Sequence, residues 1–372
     1  MICAALLSCD LAVLSVAGEG IQTEWSMFRG NASRDGIARC SLPVKPSIRW
    51  VYDAVKPVVS SAAVCDKIVY IGVDDGNLLA LSLADGKLLW KFTSDDSVQS
   101  SPAVSDGRIF FGDLDGKFRA LDVNNGAVLW TFEAQNKIIS SPLVTGESVL
   151  FGSYDNILYC LNVMNGELKW KFETDAQVHC GPCLVGTDVV IAGCDGMLRF
   201  INASTGKERA KVEVGEYVAA TPAFDGRYVY AATYGARMLC VDPKSAGIVW
   251  DTGEPKTQAQ IVASPSASGG QVVFAGRDRV IRCLSALQGK EIWRFNARGQ
   301  IDSSPVLGGD LIAFGSDDGR LYCLALETGS EKWHFDAGGG ISGSPAAAYD
   351  CIIFGTEDGL VYCLDAGKGV GK

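Results

Sequence analysis

Asp115-Gly-Lys-Phe-Arg-Ala-Leu-Asp-Val-Asn-Asn-Gly-Ala-Val-Leu-Trp130 decides the fold, because the chain writes this unit many times over. Displaced by forty residues, the sequence falls on itself. Trp50, Trp90, Trp130 and Trp170 are evenly spaced; the next place holds Ala210, and Trp250, Trp293 and Trp333 follow. A second series runs Pro102, Pro142, Pro182, Pro222, Pro265, Pro305 and Pro345, with Ala62 in the first copy. The spacing changes once, in Thr252-Gly-Glu-Pro-Lys-Thr-Gln-Ala-Gln260, which carries three extra residues. A period near forty marks an architecture whose units bury their apolar faces against one another.

Each unit reads as four short strands. Ile109-Phe-Phe111 is an apolar run ended by Gly112, and Lys117-Phe-Arg-Ala-Leu-Asp122 alternates polar and apolar. Asn125-Gly126 is a turn before Val128-Leu-Trp130. No stretch after residue 20 keeps a helical period. Four-stranded sheets repeated radially predict an all-β, eight-bladed β-propeller. The ends are out of phase: the repeats open on Ser47-Ile-Arg-Trp-Val-Tyr52 and close on Leu360-Val-Tyr-Cys-Leu-Asp365. The Trp50 strand is therefore expected to pair into the last blade, which removes a free sheet edge. The chain divides into a signal peptide over 1–17, an N-terminal segment over 18–46, the propeller over 47–367 and a tail over 368–372.

Ala80-Leu-Ser-Leu-Ala-Asp-Gly86-Lys-Leu-Leu-Trp90 resembles the tryptophan-docking repeat of pyrroloquinoline-quinone (PQQ)-repeat propellers, with a small residue first, Gly seventh and Trp eleventh. Ala120/Gly126/Trp130, Cys160/Gly166/Trp170, Cys283/Gly289/Trp293 and Cys323/Gly329/Trp333 fit; Phe200 with Ala210, and Ala246, depart. Independently of the resemblance, a Trp recurring at a strand end opposite a small residue is a ring laid between neighbouring blades. Trp50, Trp90, Trp130, Trp170, Trp250, Trp293 and Trp333 are therefore read as structural docking residues with no chemistry.

The chain of 372 residues carries 43 Gly and a net charge of −10. That charge argues against nucleic acid or an anionic membrane as partner, since both need basic patches. Residues 2–17 are mostly apolar and end on Ser15-Val-Ala17, a small-x-small cleavage signal, so the protein is expected in the periplasm or another extracytoplasmic space. Leu6-Leu-Ser-Cys9 also resembles a lipobox, but few residues precede that cysteine, and cleavage after Ala17 is preferred to lipidation. The run is too short and too broken for a transmembrane helix. Glu24-Trp-Ser-Met-Phe-Arg-Gly30 resembles the opening segment of exported PQQ-repeat propellers, with Trp25 and Phe28 expected to anchor it on the propeller rim.

Of the 13 cysteines, Cys160, Cys240, Cys283, Cys323 and Cys363 share the small-residue place of the third strand and read as packing thiols. Cys180-Gly-Pro-Cys183 matches a thioredoxin motif in letters. Its Gly-Pro, however, occupies the Ser-Pro place of an inner strand, and a redox thiol of that kind needs a helix N-terminus. The same strand setting argues against a zinc site with His179. Acidic turns recur between second and third strands, as in Asp74-Asp-Gly76 and Asp317-Asp-Gly319; tight-turn geometry explains them, and a broad acidic ring suited to a basic segment or Ca²⁺ is the alternative.

The inner-strand openings differ most between copies. One place reads Pro57, Ser97, Lys137, Gln177, Tyr217, Gln260, Gln300, Gly340; two residues on it reads Val59, Gln99, Ile139, His179, Ala219, Val262, Asp302, Ser342. The place between them is always Val or Ile. The constant place packs, so the variable ones can face the channel mouth. Gln99, Lys137, His179, Tyr217, Gln260, Gln300 and Asp302 form the candidate ligand-facing set.

Three functions follow. The first is an exported, monomeric, non-catalytic scaffold holding a protein or peptide partner through rim loops and channel mouth. It resembles the outer-membrane assembly lipoprotein of the family, and it needs neither cofactor nor metal. The second, implied by resemblance, is a PQQ- and Ca²⁺-dependent quinoprotein dehydrogenase, with Asp302 as base and Lys137 or Arg277 as cofactor partner. Against it, the chain lacks long inter-blade insertions, an adjacent Cys-Cys pair and a Cys-x-x-Cys-His haem site. The third is a sensor for a small polar molecule.

Overall fold

The computed structural model describes residues 23–253 and 260–367. The expected signal peptide, Cys9, most of the 252–260 insertion and the 368–372 tail lie outside them. The described chain is all-β: eight four-stranded antiparallel sheets arranged as an eight-bladed propeller. The inner strands are Ala63–Cys65, Ala103–Ser105, Leu143–Thr145, Cys183–Val185, Ala223–Phe224, Ser266–Ser268, Val306–Gly308 and Ala346–Ala348, which number blades 1 to 8.

The ring closes as the phase of the repeat requires. Strand Ser47–Asp53 pairs antiparallel with Leu360–Asp365, placing Trp50 opposite Cys363. Every third-strand small residue faces a tryptophan in this way: Ala80 with Trp90, Ala120 with Trp130, Cys160 with Trp170, Cys283 with Trp293. Blade 4 exchanges the volumes, with Phe200 opposite Ala210. A volume-conserving exchange of this kind leaves a core filled.

The indoles then reach the following blade, except Trp333, which donates to the Pro43 carbonyl at 2.9 Å. Trp50 donates Nε1–H to the Leu83 carbonyl at 2.9 Å, Trp90 to Val123 at 2.9 Å and Trp130 to Val163 at 3.0 Å. The ring lies on a glycine of that blade's last turn. A Cβ on Gly86, Gly126 or Gly166 would stand 2.7 Å from the indole. The glycine seventh in the repeat therefore receives the tryptophan of the preceding copy, not of its own.

The inner strands are tied by a second circuit. A hydroxyl at the place before the proline accepts the backbone N–H from the same place one blade earlier. Ser61 donates to Ser101 (3.0 Å), Ser101 to Ser141 (3.2 Å), Gly181 to Thr221 (2.9 Å), Thr221 to Ser264 (3.0 Å), Ser264 to Ser304 (2.8 Å), Ser304 to Ser344 (3.0 Å) and Ser344 to Ser61 (3.1 Å). Only position 181, a glycine, offers no hydroxyl.

Candidate functional site

Inner-strand openings and the turns between second and third strands share one face. Asp74 N–H bonds the Pro57 carbonyl, Leu114 that of Ser97, Tyr154 that of Lys137 and Glu357 that of Gly340, one such bond in each blade. The constant apolar place (Val58, Val98, Ile138, Val178, Val218, Ile261, Ile301, Ile341) is fully buried. A residue flanking it must therefore face the axis or the loop surface.

The place two residues after the first variable one lines a central well of about 150 Å³, with Gln99, His179 and Asp302 among its walls and Phe28 below. Lys137, Tyr217, Gln260 and Gln300 do not line it; they stand one step outward. The structure thus splits the seven candidates into three at the well and four on the surrounding face. Gln99 donates to Asp74 at 2.9 Å. Lys137 lies over the Tyr154 ring at 4.5 Å, and the Tyr154 hydroxyl bonds His179 Nδ1 at 2.5 Å. Burial and then the Lys137 charge hold His179 below the usual imidazole range. Tyr217 stacks on Tyr234 at 4.5 Å. Gln260 accepts from Arg277 at 3.2 Å. Gln300 takes part through its carbonyl, which accepts from Asp317 N–H at 3.0 Å. Asp302 is clamped by Arg277 through two bonds of 2.8 and 2.6 Å.

The well is closed at its far end. The segment of Trp25 and Phe28, expected on the rim, instead winds around the inside of the ring over residues 23–38. Trp25 bridges Val64 in blade 1, and Val104 N–H bonds the Ser26 carbonyl in blade 2. Leu184 bonds Ala32, Phe224 bonds Ser33, Ala267 bonds Asp35, Leu307 bonds Gly36 and Tyr349 bonds Thr23. The inner edges of the blades are thereby paired, as exposed strand edges demand. Blade 3 is held by Arg34, which is fully buried. It donates to the carbonyls of Ser141 (3.3 Å), Pro142 (2.6 Å) and Pro182 (3.0 Å), spanning the gap at Gly181. Burial lowers its pKa to about 10. No sequence periodicity signals this plug, because it has no second copy. The recurrent Ser-Pro pairs were the available signal for the hydroxyl circuit.

Cys180 and Cys183 point apart: the first thiol bonds the Ala192 carbonyl at 2.6 Å, the second that of Ser33 at 3.2 Å. Burial pushes Cys180 up to about 12 and Cys183 higher still. Neither is a nucleophile. The described cysteines are all free thiols.

PQQ does not fit the well. A fused three-ring tricarboxylate needs a pocket in the range of roughly 300 Å³ or more, and the candidate base Asp302 is already engaged by Arg277. Calcium takes six to eight oxygens. Among the described residues, the group of His, Cys, Asp or Glu atoms close enough to share an ion is Glu24, Cys65 and Asp66. It lies at the opposite end and includes a thiol.

Fold and well define an eight-bladed PQQ-repeat propeller with a one-ended central well. The chain belongs to the family described as outer membrane protein assembly factor BamB, which matches residues 47–136, 74–276, 195–299 and 277–372. Among curated proteins none matches the sequence. Solved structures share the fold. BamB from Moraxella catarrhalis is 18% identical with a TM-score of 0.75, covering 88% of this chain and 99% of its own. Quinohemoprotein alcohol dehydrogenase from Comamonas testosteroni is 13% identical with a TM-score of 0.81, covering 95% and 82%. A europium-containing methanol dehydrogenase is 14% identical with a TM-score of 0.77, covering 92% and 98%. Among the described residues no helix is long and apolar enough to cross a membrane.

Proposed function

We propose that the chain is an extracytoplasmic, non-catalytic scaffold that holds a polypeptide partner on the loop face around the well mouth. The observation that carries this reading is the well itself. At about 150 Å³, plugged by residues 23–38 and with Asp302 tied to Arg277, it is too small for a large cofactor. The face around it is broad and offers varied polar and aromatic groups. Lys137, Tyr217, Gln260 and Gln300 would meet the partner on that face, and Gln99, His179 and Asp302 would meet a side chain entering the well. The seven repeat tryptophans dock blade on blade and keep the face rigid. Membership in the BamB family supports a protein partner.

Photocrosslinkers placed at 137, 217 and 300 should give one discrete polypeptide adduct, and one at exposed outer-strand position 89 should give none. Saturable stabilisation by PQQ with Ca²⁺, together with dye reduction by alcohols or sugars, would overturn the scaffold reading in favour of a dehydrogenase.

A further inference from the structure

Six interfaces between consecutive blades are filled by an indole lying on a glycine, at Gly86, Gly126, Gly166, Gly206, Gly289 and Gly329. Of the other two, the blade 7–8 interface has Trp333 donating to the Pro43 carbonyl at 2.9 Å, and the interface between blades 4 and 5 has no indole. Ala210 stands in the tryptophan place and Ala246 in the glycine place. Arg209 stands in for the missing indole N–H: its guanidinium donates to the Pro243 carbonyl at 2.7 Å, the place equivalent to Ala203, to which Trp170 donates. It also lies over the Phe200 ring at 5.2 Å.

A second tie is lost at the same place. In the other chain-consecutive blades the last turn donates an N–H to the first turn, as Leu83 to Lys67, Ala203 to Thr187 and Ala286 to Gly270. Blade 5 has Pro243 there, and proline has no N–H to give. The two turns of blade 5 are left apart, and a pocket of about 670 Å³ opens between the blades. It lies on the face opposite the well mouth.

The walls have a definite chemistry. Phe224 and Tyr228 supply aromatic surface, and Arg209, Arg227 and Lys244 supply cations. Of the carboxylates at the pocket, one is ion-paired and the others are held within their own turns or strands. Asp188 pairs with Arg209 at 2.6 Å, and Asp242 accepts from Lys244 N–H and Ser245 within its own turn. The neighbouring Asp225 accepts from Arg227 N–H and the Tyr230 hydroxyl. Arg227 lies over the Tyr228 ring at 4.8 Å and, with Lys244, has no carboxylate partner among the described residues. In a chain of net charge −10, this is an aromatic-walled hollow whose lining cations Arg209, Arg227 and Lys244 outnumber its carboxylates Asp188 and Asp242 by one, of a size that admits a ring with its flanking residues.

We infer that this pocket docks an acidic polypeptide segment carrying an aromatic side chain. The ring enters against Phe224 and Tyr228, where cation–π contact with Arg227 adds to burial, and the flanking carboxylates meet Arg227 and Lys244. Electrostatic complementarity of this kind sets orientation and partner choice.

The test is fluorescence polarisation with the labelled peptide Glu-Asp-Trp-Asp-Glu, its Trp-to-Ala form, and the neutral Gln-Asn-Trp-Asn-Gln. The acidic Trp peptide should bind saturably, and each control should bind at least tenfold more weakly. R227E/K244E, at two exposed side chains that the fold does not need, should weaken binding at least tenfold without changing the melt. Absence of saturation at millimolar peptide, or equal affinity in R227E/K244E, would overturn the inference. Crosslinks from positions 137 and 217 on the opposite face should persist with the peptide bound, so this site and the loop face stand or fall separately.

Discussion

Replacing Trp130 by alanine isolates the interaction that repeats around the ring. The indole is 8% exposed, lies on Gly166 and donates to the Val163 carbonyl at 3.0 Å. Phe110 and Phe118 flank it with centroids at 5.8 and 6.0 Å. Truncation empties that space between two blades, and a buried Trp-to-Ala change costs about 3–5 kcal/mol. Unfolding entropy is about 2.1 cal/mol/K per residue, so a propeller of roughly 320 residues gives about 0.7 kcal/mol/K. A loss of about 4 kcal/mol then lowers Tm by about 6 °C. Calorimetry of W130A beside the wild type reads this directly. L129A, at a neighbouring side chain 45% exposed, is the control and should shift the melt by less than about 1 °C. A W130A melt within 2 °C of the wild type would refute the reasoning, because it would mean that the blades hold together without the ring.

The glycine beneath the indole should be equally demanding wherever a tryptophan is present. G126A puts a Cβ 2.7 Å from Trp90 at φ +71° and should cost about 2 kcal/mol by chemical denaturation. A246G relieves a left-handed alanine (φ +52°) opposite no indole and should leave stability unchanged or raise it by up to about 1 kcal/mol; a loss larger than that would contradict the pairing. His179 provides a pH signature. Its folded pKa lies below 6.5 through burial and the Lys137 charge. Stability is therefore full above pH 6.5 and falls as pH drops below it, because the unfolded chain takes up a proton that the folded one resists. The slope of Tm against pH between 7 and 5 should be shallower in H179Q, and an identical slope would show that His179 does not titrate with unfolding.

The architecture was legible because it is written eight times. Tryptophan and proline spacing gave blade count, strand order and the closing role of the Trp50 strand. Alternation around the constant Val or Ile place separated packed from variable positions. It did not separate Gln99, His179 and Asp302 at the well from Lys137, Tyr217, Gln260 and Gln300 on the surrounding face. Residues two apart leave a strand opening on the same side, and their distance from the axis depends on the twist of the ring. The plug was misplaced for a different reason. Trp25, Arg29 and Arg34 have no counterparts in other copies, so nothing in the sequence tied them to the inner strands. Their burial, at 1% exposure or less, is a tertiary outcome: Arg34, for one, is buried where the carbonyls of Ser141, Pro142 and Pro182 meet it, and those come from distant blades.

The broken copies of the repeat show how this fold can vary without failing. Gly181 removes a hydroxyl from the inner circuit, and Arg34 crosses that gap with bonds to Ser141, Pro142 and Pro182. Ala210 removes an indole; Phe200 refills the core opposite it, and Arg209 restores the bond to the next blade. Each loss is met by a residue within reach, so stability alone does not require the copies to agree. What is not refilled is the outer part of the blade 4–5 interface, where Pro243 also forfeits a turn hydrogen bond. A hollow of about 880 Å³ also lies between blades 6 and 7, but the N-terminal segment at Ser41, Leu42 and Val44 forms part of its wall, whereas the blade 4–5 pocket is lined by the two blades alone. A copy that departs in three positions at one interface, while its core stays closed, opens that pocket with a sheet on either side to hold its shape. The two faces differ accordingly: the loop face varies at places the repeat leaves free, and the blade 4–5 pocket lies where Ala210, Pro243 and Ala246 break the repeat.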